Sequence, residues 1–126
     1  MPRCPCLSGL PFDDCCAPVH IDHARAATAE QLMRSRFSAF AVGDEAHLLR
    51  TWHPSTRPPG LGLDPTVRWY RLDVLATTAG GRFDDEGAVE FEAFHRSPEA
   101  RGSQHEVSRF VREDGRWYYL DGVGRR

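Results

Sequence analysis

The chain has 126 residues and a formal charge of -2 from 16 basic and 18 acidic side chains, and 40% of its residues are hydrophobic, three of them tryptophan. That suffices for one globular domain with its own core plus a short appendage, and the near balance of charge gives no global electrostatic case for nucleic acid or an anionic membrane. Every basic residue is arginine, so chemistry that needs a lysine amine, as in Schiff bases or P-loops, is excluded.

All the cysteines lie at the start of the chain: Cys4, Cys6 and the adjacent pair Cys15 and Cys16. A disulfide framework would be spread through the fold and would need an oxidising compartment. The opening Met1-Pro2-Arg3-Cys4 lacks the apolar core of a secretory leader, and no run approaches the roughly 20 apolar residues of a membrane span. A cytoplasmic address is expected, where grouped thiols stay reduced and bind metal.

In Cys4-Pro5-Cys6-Leu7-Ser8-Gly9-Leu10-Pro11-Phe12-Asp13-Asp14-Cys15-Cys16, two thiols one residue apart face two consecutive thiols across an eight-residue loop. Ser8 and Gly9 allow the tight turn that lets four sulfurs converge. Thiolates are soft ligands, and a closed four-sulfur tetrahedron suits zinc, with iron as the rival. His20, four residues after Cys16, is a reserve ligand that could replace Cys15 or Cys16. Four unligated thiols are the plainer alternative.

The pattern Cys-Pro-Cys-x-Ser-Gly-x-x-Phe-x-x-Cys-Cys resembles the SEC-C motif, the metal-binding tail of the preprotein-translocase motor, which recurs as a module in other bacterial proteins. This chain ends the motif in Cys-Cys rather than Cys-His, carries Leu7 where glycine is common, and lacks the lysines of the motor's loop. The resemblance implies metal ligation by Cys4, Cys6, Cys15 and Cys16 and a docking surface for a protein partner. Between Cys4 and Cys16 the only charges are Asp13 and Asp14, so nucleic-acid or ribosome binding through this segment has no basic support.

Residues 17 to 27 read as a connector broken by Pro18. Thr28-Ala29-Glu30-Gln31 is a capping box, from which a helix should run to Gly43 with Leu32, Met33, Phe37, Phe40 and Ala41 as its apolar stripe. Arg34 and Arg36 fall off that stripe and are expected in solvent. Asp44 predicts the cap of a second helix, about 45 to 52, with Leu48, Leu49 and Trp52 inward and an end at His53-Pro54. Residues 55 to 65, rich in proline and glycine, predict a loop.

Beyond it the hydrophobic period becomes two, predicting strands over 67 to 78, 88 to 95, 104 to 112 and 116 to 120. Asp114-Gly115 suits a two-residue hairpin turn. That register would set Arg112 opposite Trp117, Phe110 opposite Tyr119, Arg109 opposite Leu120 and Ser108 opposite Asp121. One face then carries Ser108, Phe110, Arg112, Trp117, Tyr119 and Asp121.

Helices preceding a four-stranded meander make an α+β fold, with the helices packed on one face of a curved antiparallel sheet. This order resembles the cone of nuclear transport factor two and the ketosteroid isomerases. Leu32-Met33-Arg34-Ser35-Arg36-Phe37-x-Ala39-Phe40, Thr51-Trp52-His53-Pro54-Ser55 and the closing run from Glu106 to Gly122 resemble the YchJ family of bacterial proteins. The resemblance implies a metal knuckle over residues 1 to 20 joined to a cone over 21 to 126, and brings no reaction with it. Such cones often hold a pocket, and the residues expected to reach it are Trp52, His53, Trp69, His95, Glu106, Arg109, Trp117 and Asp121. A structural ion pair between Glu106 and Arg109 is the plainer reading of those charges, and core packing that of the tryptophans. Arg34, Arg36 and Arg109 would form an anion site if the fold joined them.

The residues support two functions. The first is a zinc-binding, non-enzymatic interaction or ligand-binding module, because four thiolates leave the metal no open position for substrate. Such a site is expected to fold the knuckle rather than the cone. The second is a small-molecule enzyme of the isomerase, dehydratase or hydrolase kind, with a histidine and a carboxylate as acid and base in the cone. A homodimer through the sheet is a further expectation.

Overall fold

The Thr28 hydroxyl accepts a hydrogen bond from the Gln31 amide (3.1 Å) and opens helix α2, Ala29–Val42. Gln31 reaches back one residue further than a capping box requires, accepting from the Ala27 amide at 2.6 Å. Gly43, in the left-handed region at φ 80°, ends the helix, a conformation that costs glycine nothing sterically. Asp44 then accepts from the His47 amide and starts α3, Glu45–Arg50. This computed structural model describes residues 3–125, and of residues 123–125 the backbone alone. Met1, Pro2 and Arg126, the outer limits of the two expected segments, lie outside the described residues.

Residues 17 to 27 are more ordered than a connector, since Ala17–Ile21 forms a helical turn and a half, α1. Pro18 sits in the first turn, where its missing N–H would have had no helical partner. A 3₁₀ turn at His23–Arg25 comes next. Helix α3 stops at Arg50, short of the expected limit, with Thr51 as its cap, and the residues from Thr51 to His53 turn to the last strand instead. They pair with Tyr119: its amide donates to the Thr51 carbonyl and its carbonyl accepts from the His53 amide, both at 2.8 Å.

The rest of the chain forms four strands, β1 Arg68–Ala79, β2 Glu86–Arg96, β3 Arg101–Glu113 and β4 Arg116–Arg125, paired in chain order as an antiparallel meander. Irregular pairing at Tyr70 and Leu75 interrupts β1, and such bulges bend a strand and raise its twist. The protein is thus α+β, with α2 lying across one face of the sheet. Among the described residues no helix is long and apolar enough to cross a membrane.

The hairpin register holds from Glu113–Arg116 to Phe110–Tyr119 and then slips: Arg109 pairs with Asp121 and Ser108 with Gly122, leaving Leu120 as an extra residue. One added residue reverses the side of everything beyond it. Asp121 therefore does not share the inner face with Ser108, Phe110 and Tyr119, and instead meets Arg109 on the outer face, Oδ1 to Nε at 2.6 Å.

Helix α2 is the other departure. From Leu32 to Ala39 only Arg34 escapes full burial, and Arg36 is just 7% exposed. The apolar stripe of Leu32, Met33 and Phe37 packs on the sheet, while the opposite side, which carries Ser35 and Ser38, is covered by α1, α3 and the amino-terminal segment. The His20 Nε2 donates to the Ser35 carbonyl at 2.8 Å. The single Ser35 hydroxyl proton goes to the Leu32 carbonyl (2.7 Å), so at the 3.0 Å contact with His47 Nε2 the imidazole is the donor. The other His47 nitrogen accepts from Arg50, whose Nη2 also donates to the His20 carbonyl at 2.7 Å.

Gly80 and Gly87 face each other where β1 turns into β2, and the Gly80 carbonyl takes the Ala29 amide at 2.9 Å, supplying a partner to the start of α2. A Cβ on Gly87 would collide with the Gly80 backbone. Gly87→Ala is expected to destabilise the fold by about 2 kcal/mol, the cost of overpacking a site that cannot relax; the urea midpoint measures it.

Burial first, then the charges of His20, Arg50 and Arg36, push the His47 pKa down to about 2. The unfolded chain, with an imidazole near pH 6.5, takes up a proton that the native state refuses. The His47 contribution is thus complete above about pH 6.5 and lost as pH falls below it, by up to about 1.4 kcal/mol per pH unit. Between pH 6.5 and 5, stability from urea unfolding should fall more steeply for the wild type than for His47→Gln; equal slopes would contradict a neutral, buried imidazole.

Candidate functional site

The amino-terminal segment turns back on itself through a hydrogen bond from the Cys4 amide to the Leu10 carbonyl (2.9 Å) and one from the Leu7 amide to the Cys4 carbonyl (3.0 Å). Leu7 takes φ 65° and Gly9 φ 93°. Leu7 thus occupies a left-handed position that glycine fills without strain, which gives a physical reason for the glycine common there in the SEC-C motif. A 3₁₀ turn at Phe12–Asp14 delivers Cys15, and Cys16 caps α1.

The four Sγ atoms lie within 4.8 Å of one another, with Cys6 to Cys15 at 3.6 Å and Cys15 to Cys16 at 3.8 Å. A tetrahedral ion with sulfur at about 2.3 Å holds its ligands about 3.8 Å apart, whereas a disulfide needs about 2.05 Å. The cysteines are free thiols in a group that can hold a metal ion. Thiols of Cys16 and Cys4 donating to Cys6 draw its pKa far down, and burial pushes Cys15 up to about 11.

Cys4, Cys6 and Cys16 are 1%, 0% and 2% exposed and belong to the same buried cluster as Leu32, Met33 and Phe37. Cys4 Sγ lies 3.3 Å from the Ser38 hydroxyl. Arg34, expected in solvent, donates from Nη1 to the Cys6 carbonyl at 2.9 Å and from Nε to Glu30 at 2.9 Å. Its cation lies on the Cys6 side of the sulfur group. His20 is not in the sulfur group: its ring bonds Ser35 and lies 3.7 Å from the Asp44 carboxylate.

On the other side of α2 a cavity of about 210 Å³ opens between the helix and the sheet. Met33, Phe37 and Phe40 line it from α2, Trp69, Phe91, Ala93, Phe110 and Tyr119 from the sheet, and Trp52 from the segment beyond α3. Its polar groups are Arg36, Gln104, Glu106 and Ser108. Arg36 donates from Nη1 to the Leu48 carbonyl (2.8 Å) and the Thr51 hydroxyl (2.7 Å). Its guanidinium carbon lies 4.5 Å from the Tyr119 ring centroid and 5.1 Å from that of Trp52, contacts worth up to about 2 kcal/mol each when desolvated. Burial lowers its pKa to about 10, against the opposing pull of Tyr119 and Glu106, so it remains a cation at neutral pH. Glu106 accepts from Ser108 (2.6 Å), Gln104 (3.1 Å) and the Tyr119 hydroxyl (3.3 Å). Burial, then the Glu106 charge, raises the Tyr119 pKa to about 12.

Of the residues expected at a pocket, the fold brings Trp52, Trp69 and Glu106 together there. His53 instead bonds Glu113 (2.9 Å) and Ser55 (2.7 Å), tying its loop to the last hairpin. His95 packs at a tilt against Trp69, centroids 4.8 Å apart, and is not itself part of the lining. Trp117 is core, fully buried with its indole N–H on the Ala27 carbonyl at 3.2 Å. Arg109 and Asp121 pair with each other on the outer face, so the expected Glu106–Arg109 pair does not form among the described residues. Nor do Arg34, Arg36 and Arg109 meet: one faces the sulfurs, one the cavity, one the outer surface. Arg36 and Tyr119 are pocket residues that the sequence pattern did not point to; the available signal was that inward-facing Phe110 fixes Tyr119 across the hairpin.

Comparison with known proteins matches residues 28–122 to the model of the YchJ middle NTF2-like domain and residues 3–18 to the SEC-C motif. A UPF0225 protein of Corynebacterium glutamicum is 52% identical over 120 residues, covering 95% of each chain. A UPF0225 protein of Streptomyces coelicolor is 50% identical over 121 residues, covering 96% of this chain and 94% of the relative. Among solved structures, a SEC-C motif containing protein from Rhodopseudomonas palustris superposes with TM-score 0.83 at 34% identity, covering 98% of both chains. One from Psychrobacter arcticus gives 0.76 at 28% identity, covering 98% of this chain and 82% of the other. A four-cysteine knuckle docked on the helix of an NTF2-like cone, matched over nearly its whole length by these relatives, places the chain in the YchJ (UPF0225) family of SEC-C motif proteins.

Proposed function

We propose that this chain is a cytoplasmic zinc-binding protein that acts without catalysis, as a ligand-binding module whose knuckle also offers a contact surface to a protein partner. The observation that carries the reading is the closure of the sulfur group: four Sγ atoms within 4.8 Å, three of the cysteines buried against α2. Zinc fits this donor set and spacing, and when bound it would be held by Cys4, Cys6, Cys15 and Cys16, supplying crosslinking rather than a reactive water. Arg34 and the Ser38 and Ser8 hydroxyls, the last 3.1 Å from Cys15, orient and neutralise the sulfurs from outside.

The cone supports the non-catalytic half of the reading. Among the described residues a histidine and a carboxylate do not meet in its cavity: His53 and His95 are not in the lining, and Glu106 accepts from three protein donors. What remains is an apolar, aromatic-walled space with a few fixed polar groups, the usual composition of a ligand site.

Because Cys4, Cys6 and Cys16 share one buried cluster with Leu32 and Phe37, metal loss should weaken the whole domain rather than the knuckle alone. Native mass spectrometry of protein purified without added metal is expected to show one zinc per chain, and Cys6→Ser to lose it. Removing the metal by chelation should lower the melting temperature of the domain by about 10 °C or more. Metal-free protein with paired disulfides, or iron in place of zinc, would overturn the assignment.

A further inference from the structure

We propose that the cavity between α2 and the sheet recognises a small aromatic carboxylate, its ring held among the aromatic walls and its anionic group seated on Arg36. The inference rests on the reading of the cone as a ligand-binding module and adds the chemical class of the ligand.

The cation comes first. Arg36 is 7% exposed and is in no ion pair among the described residues. Of its nitrogens only Nη1 donates to the protein, to the Leu48 carbonyl and the Thr51 hydroxyl. The Nε and Nη2 donors, the side-on fork that matches a carboxylate in two parallel hydrogen bonds, have no protein acceptor among the described residues. Glu106 and the Tyr119 and Trp52 rings offset the charge only from a distance, so the free fork is available to an anion that enters the cavity.

Trp52 carries a second unpaired donor. Trp52 lines the cavity under the Arg36 guanidinium, and its indole Nε1 is buried with no hydrogen-bond partner among the described residues. Buried donors of this kind are rare in native structures and call for an acceptor. Glu106 hydrogen-bonds neither group among the described residues; its donors there are Gln104, Ser108 and Tyr119. It makes its part of the wall negative and repels an anion there, so the cavity is polarised.

Size and charge then select the ligand. A cavity of about 150 Å³ lined by apolar side chains takes up benzene, so about 210 Å³ accommodates one ring with a carboxylate. Aromatic walls favour a flat, polarisable ring through edge and offset contacts. One arginine fork beside a carboxylate matches a monoanion; a phosphate dianion would bring more charge to Glu106 and find too few donors.

The test monitors the indole Nε1–H resonances of the three tryptophans in the full, metal-loaded chain by NMR during titration with benzoate and with its neutral isostere benzamide. Benzoate is expected to shift Trp52 and Trp69, to leave Trp117 unmoved, and to bind at least tenfold more tightly than benzamide. Arg36→Met should abolish that preference, and Glu106→Gln should tighten benzoate several-fold without changing benzamide. If Arg36→Met does not fold, the wild-type ratio and Glu106→Gln decide. Benzamide binding as well as benzoate would overturn the anion assignment while the ligand-binding reading stands. Shifts of neither Trp52 nor Trp69 with either probe would overturn both.

Discussion

Helix α2 is buried on two opposite sides, and the rest of the molecule is arranged around that constraint. A surface helix needs one apolar stripe; this one must satisfy the sheet with Leu32, Met33 and Phe37 and the cysteine knuckle with small polar side chains. Ser35 and Ser38 solve the second problem. They are short enough for α1 and the sulfurs to approach closely, and each has a partner for its hydroxyl. The knuckle is therefore a second layer on the helix, and the buried cluster runs from Cys6 through α2 to Val89 and Trp117 on the sheet.

This two-sided burial also decides where charge goes. Arg34 and Arg36 are two residues apart and so project to different sides of α2. Arg34 reaches the Cys6 carbonyl beside the sulfurs, and Arg36 enters the cavity. Each cation therefore serves a different site. Charges on the sheet's outer face are handled more simply, as ladders: Arg109 with Asp121, His105 with Glu90 and Arg71 with Asp73. Exposed pairs of this sort contribute little to stability, and Arg71 also lies over the Phe94 ring on that face.

Local signals are legible in the sequence because they depend on near neighbours. The Thr28 and Asp44 caps, the stop at Gly43, the Asp114-Gly115 turn and the first four cross-strand pairs of the hairpin all stand as the sequence predicts. The cysteine cluster is legible for the same reason, since ligands gathered in a short segment can only converge locally. The pocket is half legible. Pattern points to Trp52, Trp69 and Glu106, but it misplaces His53, His95, Arg109, Trp117 and Asp121. Leu120, the bulged residue, turns Asp121 to the outer face, and the pairing of residues 51 to 53 with Tyr119 carries His53 away from the cavity.

Sequence alone determined the family, the α+β order, the strand boundaries to within five residues and the grouping of the four cysteines, because motif, spacing and periodicity carry that information along the chain. Only the tertiary structure decided that Arg36 is buried, that Glu106 has no arginine ion-pair partner among the described residues, and that the knuckle shares the core of the cone. Each of those depends on groups far apart in sequence meeting at van der Waals distance. A polar residue's pattern gives its side of a helix, but whether water or protein covers that side is set by elements the pattern does not contain.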